Sequence, residues 1–310
     1  MKILFFGNAD FGLPTLDLLL NSPYKLLSVV TNKDKKSGRG KKYSPTPIKE
    51  FSLKNDIPVI EVDDLYDASF EKAIANLDPD IAIVIAYRLL PSNIFNIPRY
   101  GTFNLHASLL PKYRGAAPIQ RAILNGDDET GVSTFFIDEK IDTGNLILQK
   151  KIKIDQEDSF GELYTKLSEI GSTLTIETIR HIINKNPLVN QEGRVSYAKK
   201  INKNENKINW EMKAIDIHNT IRAFSPKPGA FSYMLNKRIK ILKSKIMISK
   251  EKMLPGHICL EEGRFFVGTS TSLIEVLELQ QEGKRRMEAL KFINGLSIEK
   301  SKDLKFGFKE

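Results

Sequence analysis

In the first ninety residues, short apolar runs alternate with amphipathic segments. Strands are predicted at 2–6, 26–31, 57–60 and 80–86. Helices are predicted near 14–21, 47–55 and 69–77. The last strand is apolar on both faces from Ile81 to Ala86, as expected for a parallel sheet covered by helices. This alternation predicts an α/β domain with an open, mostly parallel sheet and flanking helices.

The remaining pattern divides the chain further. Elements of the middle part are predicted at 116–124 (helix), 130–137 (strand) and 158–184 (a long helix before Pro187). Polar residues dominate 187–207, which indicates a linker lying over the surface. Beyond a helix at about 214–224, strand-like runs near 230–235, 238–247, 256–260, 264–268 and 273–279 are spaced as in a small β-barrel of the OB type. We therefore predict an α/β domain over 1–186, a linker over 187–207 and a β-barrel domain over 208–310.

Composition excludes several classes of protein. The single cysteine, Cys259, allows no disulfide within the chain and no multi-cysteine metal cluster, which suits a reducing cytoplasm. No apolar run approaches the roughly 18 residues that span a bilayer, and the stretch Met1–Gly7 is too short for a signal peptide. His181, His218 and His257 have no partner at metal-ligand spacing and are predicted to be structural. Neither standard glycine-rich nucleotide motif is present.

The net charge of +9 is unevenly distributed. Residues 208–310 carry 19 basic and 12 acidic side chains, whereas residues 1–186 carry 23 and 24. The segment 33–42 is a local exception, with six basic residues, one acidic residue and two glycines. Both features indicate a polyanionic partner. For the overall charge, the alternative is a genome whose codon usage favours lysine. For the segment 33–42, the alternative is an ordinary solvated surface loop.

A candidate site lies at Asn104 and His106. Residues 102–106 are predicted to form a strand, and the side-chain period of two places these side chains on the same face. Pro111 cannot continue a ladder, so the pair lies near a strand end, where open α/β sheets bind ligands. An amide donor beside an imidazole suits acyl transfer. A satisfied polar pair with no chemical role is the alternative.

Three stretches resemble the folate-dependent formyltransferase family, and the likeness extends over nearly the whole chain. They are 104–111, then Arg114–Ala122, and then Ile141–Gly144. The resemblance implies that Asn104, His106 and Asp142 are catalytic and that Ser108, Leu109, Leu110 and Pro111 line the site for 10-formyltetrahydrofolate. A carboxylate at Asp142 is expected to fix the tautomer of His106 and to favour its protonated form. In other proteins an Asp-Thr-Gly is often only a turn, or the signature of an aspartic protease, which needs a second carboxylate motif that is missing here.

The resemblance is closest to the branch that formylates methionyl initiator tRNA. It implies a basic loop that binds the acceptor stem, with Lys36, Arg39, Lys41 and Lys42 as its contacts, and an enzyme that needs no metal. We expect the protein to be a monomer. Arg88 departs from the family, which more usually has glycine there, and this changes the expected wall beside the folate ring. The main alternative is a formyltransferase acting on a sugar-nucleotide amine, which has no need of the basic loop. A non-catalytic RNA-binding protein would leave Asn104, His106 and Asp142 unexplained.

Overall fold

The computed structural model describes residues 1–37, 42–248, 253–296 and 304–307. Their contacts divide the chain into two compact units. The first contains 1–118, 130–152 and 164–198, and the second contains 119–129, 153–163 and 199–310. No helix in these described ranges is both long and apolar enough to cross a membrane.

The elements up to residue 198 are mostly short. The strands are β1 (Lys2–Gly7), β2 (Lys25–Asn32), β3 (Lys35–Ser37), β4 (Lys42–Ser44), β5 (Val59–Val62), β6 (Ile81–Ile85), β7 (Thr102–His106), β8 (Arg114–Gly115), β9 (Glu129–Phe136), β10 (Leu146–Lys153) and β11 (Tyr197–Ala198). The helices are a 3₁₀ turn (Asp10–Gly12), α1 (Leu13–Leu20), α2 (Pro47–Lys54), α3 (Ala68–Asn76), α4 (Ser92–Phe95), α5 (Pro118–Leu124) and α6 (Phe160–Ile183).

Seven of these strands form one sheet in the order β10-β9-β7-β6-β1-β2-β5. The pairs β1–β2, β1–β6, β2–β5 and β6–β7 are parallel, and β7–β9 is antiparallel. All five side chains of β6 are buried, because helices cover both faces of a parallel sheet. The predicted open, mostly parallel α/β fold is confirmed. Ile85 pairs with Leu105, so β6 and β7 end together and His106 lies at the carboxyl edge of the sheet.

Local chemistry explains where the helices of the first unit begin. Thr46 accepts a hydrogen bond from the Lys49 N–H (3.1 Å), and Pro47 occupies the first helical position of α2, where its missing N–H costs nothing. The carboxylate of Asp67 accepts from the Ser69 N–H (2.8 Å) at the start of α3, and this backbone hydrogen bond lowers the pKa of Asp67. One apolar cluster on the sheet includes Leu4, Phe6 and Val84.

The second unit is built on an antiparallel sheet. Its elements are α7 (Ala214–Phe224), β12 (Ala230–Met234), β13 (Lys237–Met247), β14 (Ile258–Glu261), β15 (Arg264–Gly268), β16 (Leu273–Gln281), β17 (Met287–Glu288) and α8 (Ala289–Asn294). The strand order is β12-β13-β16-β15-β14, and β17 also pairs with β16. Phe265 stacks on Phe292 and Phe306, and Trp210 stacks on Phe306 in turn. The predicted small β part is therefore present.

Candidate active site

Strand β7 places Asn104 and His106 on one face, two residues apart. Asn104 is half-buried and lies between Val84 of β6 and Phe135 of β9 in the ladder. Its carboxamide makes no hydrogen bond to another residue in the described ranges, although amide donors in folded proteins usually find a partner. The imidazole of His106 is buried, with 7% of the residue exposed. The pair therefore combines an amide donor that no neighbour uses with an enclosed imidazole.

The two ring nitrogens of His106 have different surroundings. Nε2 lies 2.8 Å from the carbonyl oxygen of Tyr113, and since a carbonyl only accepts, Nε2 carries the proton. Nδ1 lies 3.7 Å from Asp142 Oδ2, which is beyond a hydrogen bond. We expected Asp142 to fix the tautomer, but the structure gives that role to Tyr113. Nδ1 is consequently the nitrogen that remains available to donate or take a proton.

Asp142 is held in place through its carboxylate and through its backbone. The N–H of Gly115 donates to Oδ2 at 2.7 Å, and the side-chain amide of Gln191 donates to the Asp142 carbonyl oxygen at 3.0 Å. The side chain of Asp142 is 14% exposed. The structure thus brings together Asn104, His106 and Asp142, although 36 residues separate the last two in sequence.

Three non-glycine residues near His106 adopt the left-handed backbone conformation. Ala86 (φ 49°) follows the end of β6, Tyr113 (φ 61°) presents its carbonyl to the ring, and Asp142 (φ 55°) faces Nδ1. Each such conformation costs about 1–3 kcal/mol and persists only where the surroundings enforce it. Strained backbone of this kind concentrates at functional sites, which supports this end of β7 as the candidate active site.

The segment 108–111 is mostly internal to its own loop. Ser108 is fully buried and donates from Oγ to the Lys112 carbonyl oxygen at 2.6 Å. Ser133 Oγ donates to the Ser108 carbonyl oxygen (2.6 Å) and accepts from the Leu110 N–H (3.1 Å). Leu110 is buried in a cluster with Phe135 and Leu146, Pro111 is buried, and Leu109 is half-exposed. Of these four residues, Leu109 offers the most accessible apolar side chain, and a folate-binding role for the group stays a prediction.

The Arg88 side chain is hydrogen-bonded to the end of strand β5. Its guanidinium donates to the carbonyl oxygens of Asp63 (2.6 Å) and Val62 (3.0 Å) and lies 5.4 Å from the ring centre of Tyr87. Because β5 ends at Val62, Arg88 caps the carboxyl end of that strand. The departure from the family pattern at this position therefore has a structural role.

The predicted tRNA contacts are Lys36, Arg39, Lys41 and Lys42 of the basic loop. Arg39 and Lys41 lie outside the described residues, and of Lys36 and Lys42 the structure describes the backbone only. That backbone forms the antiparallel pair β3–β4, in which Lys36 is opposite Tyr43 and Ser37 is opposite Lys42. The role of this loop stays a prediction.

A cavity of about 260 Å³ lies within the second unit. Its charged lining residues are Glu157, Glu162, Glu278, Arg222, Lys243 and Arg286. Acidic and basic groups balance, so the lining favours no ligand charge. His218 also lines this cavity: its ring contacts Ser244 Oγ (3.0 Å) and the Gln156 carbonyl oxygen (3.2 Å), and burial lowers its pKa. Among the described residues, no group of three or more His, Cys, Asp or Glu side chains is arranged to hold a metal ion.

Sequence reasoning missed three residues that shape the site. Tyr113 fixes the His106 ring, Gln191 binds the Asp142 loop, and Ser196 Oγ accepts from the Tyr113 N–H at 2.9 Å. Two of them fall in the segment that we predicted to be a surface linker. Tyr113 acts through its backbone carbonyl, and Gln191 and Ser196 act through a single amide and a single hydroxyl. None of these groups belongs to a recognisable sequence motif, so the sequence could not indicate their roles.

The chain belongs to the formyl transferase family. Residues 1–179 match the family model described as "Formyl transferase", and residues 200–297 match "Formyl transferase, C-terminal domain". Together these matches confirm the family resemblance.

Some similar proteins carry a more specific name within the formyl transferase family. The chain is 42% identical over 306 residues to the methionyl-tRNA formyltransferase of Thermodesulfovibrio yellowstonii, covering 97% of this chain and 98% of that one. The Flavobacterium johnsoniae enzyme of the same name is 38% identical, and the match covers 96% of this chain and 97% of that one.

Among solved structures, the sugar 3N-formyl transferase WlaRD, crystallised with dTDP and 5-N-formyl-THF, is 25% identical with a TM-score of 0.66. The match covers 92% of this chain and 99% of that one. An N-formyltransferase from Helicobacter canadensis in complex with folinic acid and dTDP-3-aminofucose is 26% identical with a TM-score of 0.66, covering 89% and 98%.

Proposed function

We propose that this protein transfers the formyl group of 10-formyltetrahydrofolate to the α-amino group of methionyl-tRNA. The observation that carries the proposal is the convergence of Asn104, His106 and Asp142 at one edge of the sheet, in a chain that matches methionyl-tRNA formyltransferases over nearly its full length. We further propose that the acceptor is the initiator tRNA, that residues 1–186 carry the chemistry, that residues 208–310 hold the RNA, and that the enzyme works as a monomer.

The chemistry follows from the charges that develop during transfer. The amine nitrogen attacks the formyl carbon, so negative charge builds on the formyl oxygen. The carbon–N10 bond then breaks, N10 gains a proton and the amine loses one. We assign stabilisation of the oxyanion to the Asn104 amide and to a protonated His106 Nδ1, because these donors are not engaged by a carbonyl. A preorganised donor at such a position is typically worth 10²–10³ in rate.

We assign Asp142 a supporting electrostatic role. Its Oδ2 lies 3.7 Å from Nδ1, so the carboxylate faces the positive charge of a protonated ring. The Gly115 N–H fixes that oxygen, which leaves little freedom for the carboxylate to turn away. The chemistry that this arrangement supplies is proton exchange at Nδ1, and it fits a formyl donor bound beside Asn104.

We propose that the folate donor binds at this end of β7. Small-molecule sites combine apolar walls with a few polar anchors. Leu109 is half-exposed and follows the end of β7 by three residues, and Ala86, which directly follows β6, is exposed. We propose that Leu109 contacts the ring system, that Ser108, Leu110 and Pro111 fix the shape of that wall, and that Asn104 anchors the formyl oxygen.

A sugar-nucleotide amine is the second candidate acceptor, because two structural neighbours carry sugar formyltransferase titles. The decisive experiment offers the enzyme 10-formyltetrahydrofolate together with methionyl initiator tRNA, methionyl elongator tRNA or a dTDP-linked amino sugar. Formylation of the initiator tRNA in clear preference to the other acceptors is the expected result. Formylation of the amino sugar alone would overturn the proposal.

The basic loop provides the test of tRNA recognition. Arg39→Ala should lower the single-turnover rate with initiator tRNA by about 10²-fold, because an acceptor that is not oriented loses several kcal/mol of catalysis. Lys54→Ala, which removes an exposed lysine of α2, is the matched control and should keep the wild-type rate. Truncating Lys243 in the second unit should instead weaken affinity and flatten its salt dependence, by a log–log slope of about 0.9 per phosphate contact. A wild-type rate for Arg39→Ala would refute the role of the loop.

A further inference from the structure

Gln191 has a carboxamide whose hydrogen-bonding capacity is fully used by the two loops around Asp142. Oε1 accepts from Arg114 Nε (3.1 Å) and Nη2 (2.6 Å). Nε2 donates to the carbonyl oxygens of Asp142 (3.0 Å) and Gly144 (2.9 Å). A guanidinium only donates and a carbonyl only accepts, so the orientation of this amide is fixed by its neighbours. All four contacts lie within the first unit.

The segment that carries Gln191 is itself fastened at both ends. Val189 and Leu146 exchange both backbone hydrogen bonds, at 2.8 and 3.0 Å. Farther along, the Ser196 carbonyl oxygen accepts from the Arg114 N–H (2.9 Å), and β11 pairs with β8. Gln191 is therefore presented from a fixed backbone, which a solvated linker would not provide.

The two loops that Gln191 joins also meet directly at the Asp142 carboxylate. Gly115 of one loop donates to Asp142 Oδ2 of the other at 2.7 Å. Gln191 connects the same loops by a second path, from Arg114 to the carbonyls on either side of Thr143. Because Asp142 has φ 55°, its backbone needs such external support to stay in the left-handed region.

We propose that Gln191 is a positioning residue that holds the Asp142 carboxylate opposite His106 Nδ1 by clamping the 142–144 turn to Arg114. It touches neither the formyl donor nor the acceptor in this assignment, which rests on the proposed formyl transfer. Displacing reacting groups by about 1 Å can cost about 10²-fold in rate. Loss of the clamp should therefore lower kcat while leaving both KM values nearly unchanged.

The two ends of the clamp can be separated by substitution. Gln191→Glu keeps the length and the acceptor that faces Arg114, but it removes both donors to the 142–144 turn. Gln191→Met keeps the approximate volume and removes both ends. We expect kcat for methionyl-tRNA to fall roughly 10- to 100-fold in each variant, with the KM for 10-formyltetrahydrofolate and for tRNA within about 3-fold of wild type. Asn21→Asp is the matched control, since Asn21 Nδ2 also donates to one backbone carbonyl, that of Asp17, from an exposed position.

A double-mutant cycle with Asp142→Asn distinguishes positioning from a general effect on folding. If Gln191 acts through the Asp142 carboxylate, Gln191→Glu should cost less than about 3-fold in the Asp142→Asn background, because residues that act as one unit are non-additive. The same 10- to 100-fold loss in both backgrounds would overturn the proposal, as would a wild-type kcat for Gln191→Glu. If Gln191→Glu does not fold, the cycle is run with Gln191→Met. Failure of the wild-type enzyme to formylate methionyl-tRNA would instead refute the proposed function, which keeps the two outcomes apart.

Discussion

Gly144 lies where the Asp142 turn runs against β9, and the structure leaves no space there for a side chain. A Cβ on Gly144 would lie 1.7 Å from the carbonyl oxygen of Phe136 and 2.9 Å from its carbonyl carbon. The Phe136 N–H also donates to the Asn145 carbonyl oxygen at 3.0 Å, so the turn and the strand are bonded at this point. Gly144→Ala is therefore a steric perturbation of the turn that carries Asp142.

The size of the displacement follows from these distances. Carbon and oxygen atoms in proteins approach to about 3.3 Å, so the turn must move away from β9 by roughly 1.5 Å. A shift of about 1 Å can cost about 10²-fold in rate. We expect Gly144→Ala to lower kcat by about 10²-fold and to reduce the free energy of unfolding by about 1–3 kcal/mol, the usual cost of overpacking.

Single-turnover formylation of methionyl-tRNA at saturating enzyme measures the first effect, and urea unfolding measures the second. Gly307→Ala is the matched control, because among the described residues, its chain neighbours aside, no atom lies within 4 Å of the added Cβ. The control should retain wild-type kcat. If Gly144→Ala keeps kcat within about 3-fold of wild type, the turn does not position Asp142 for catalysis and the steric reasoning is refuted.

Four further predictions can be tested with purified variants of the enzyme. Asn104→Ala should lower kcat by a factor of about 10²–10³. Combining His106→Ala with Asp142→Ala should lower kcat by far less than the product of the two single effects. Fully multiplicative losses in kcat would show that the residues are not coupled. Leu110→Ala should reduce the free energy of unfolding by about 2–5 kcal/mol, because Leu110 is 4% exposed; urea unfolding checks this, and a change below 1 kcal/mol would contradict the packing. Burial lowers the pKa of His218, so the unfolded state binds the extra proton and stability should fall as the pH drops through and below about 6.5. The slope for one proton is at most about 1.4 kcal/mol per pH unit, and His218→Gln should lack this component in urea unfolding between pH 7.5 and 5.

The parts of the fold that were predictable are those whose burial pattern repeats along the chain. Strand β6 is apolar at every position and is buried at every position, and α7 was predicted from a helical stripe of apolar residues. Strand β10 was missed because only its first two residues, Leu146 and Ile147, are fully buried, while charged residues dominate its second half. Strand β10 is the edge strand of its sheet. Edge strands commonly carry charged side chains, so its polar sequence did not resemble that of a buried strand.

The candidate site was only partly predictable for a related reason. Period-two alternation places Asn104 and His106 on one face from local sequence alone. The approach of Asp142 depends on the β9–β10 connection returning to the end of β7, which no local pattern specifies. The 187–207 segment was interpreted as a surface linker from its polarity, but the polar groups of Gln191 and Ser196 are bonded to the site.

The strained residues around His106 explain how the ring is oriented. In the left-handed region Tyr113 directs its carbonyl oxygen at Nε2, and the Ser196 hydroxyl holds the Tyr113 N–H in that conformation. Because Nε2 donates its hydrogen to that carbonyl, the lone pair of the neutral ring is on Nδ1, and Nδ1 faces Asp142. For Tyr113 and Asp142, the cost of about 1–3 kcal/mol is offset by hydrogen bonds with residues outside β7. The orientation of His106 therefore depends on the 189–198 segment as well as on β7, and we expect substitutions in that segment to alter catalysis without contacting a substrate.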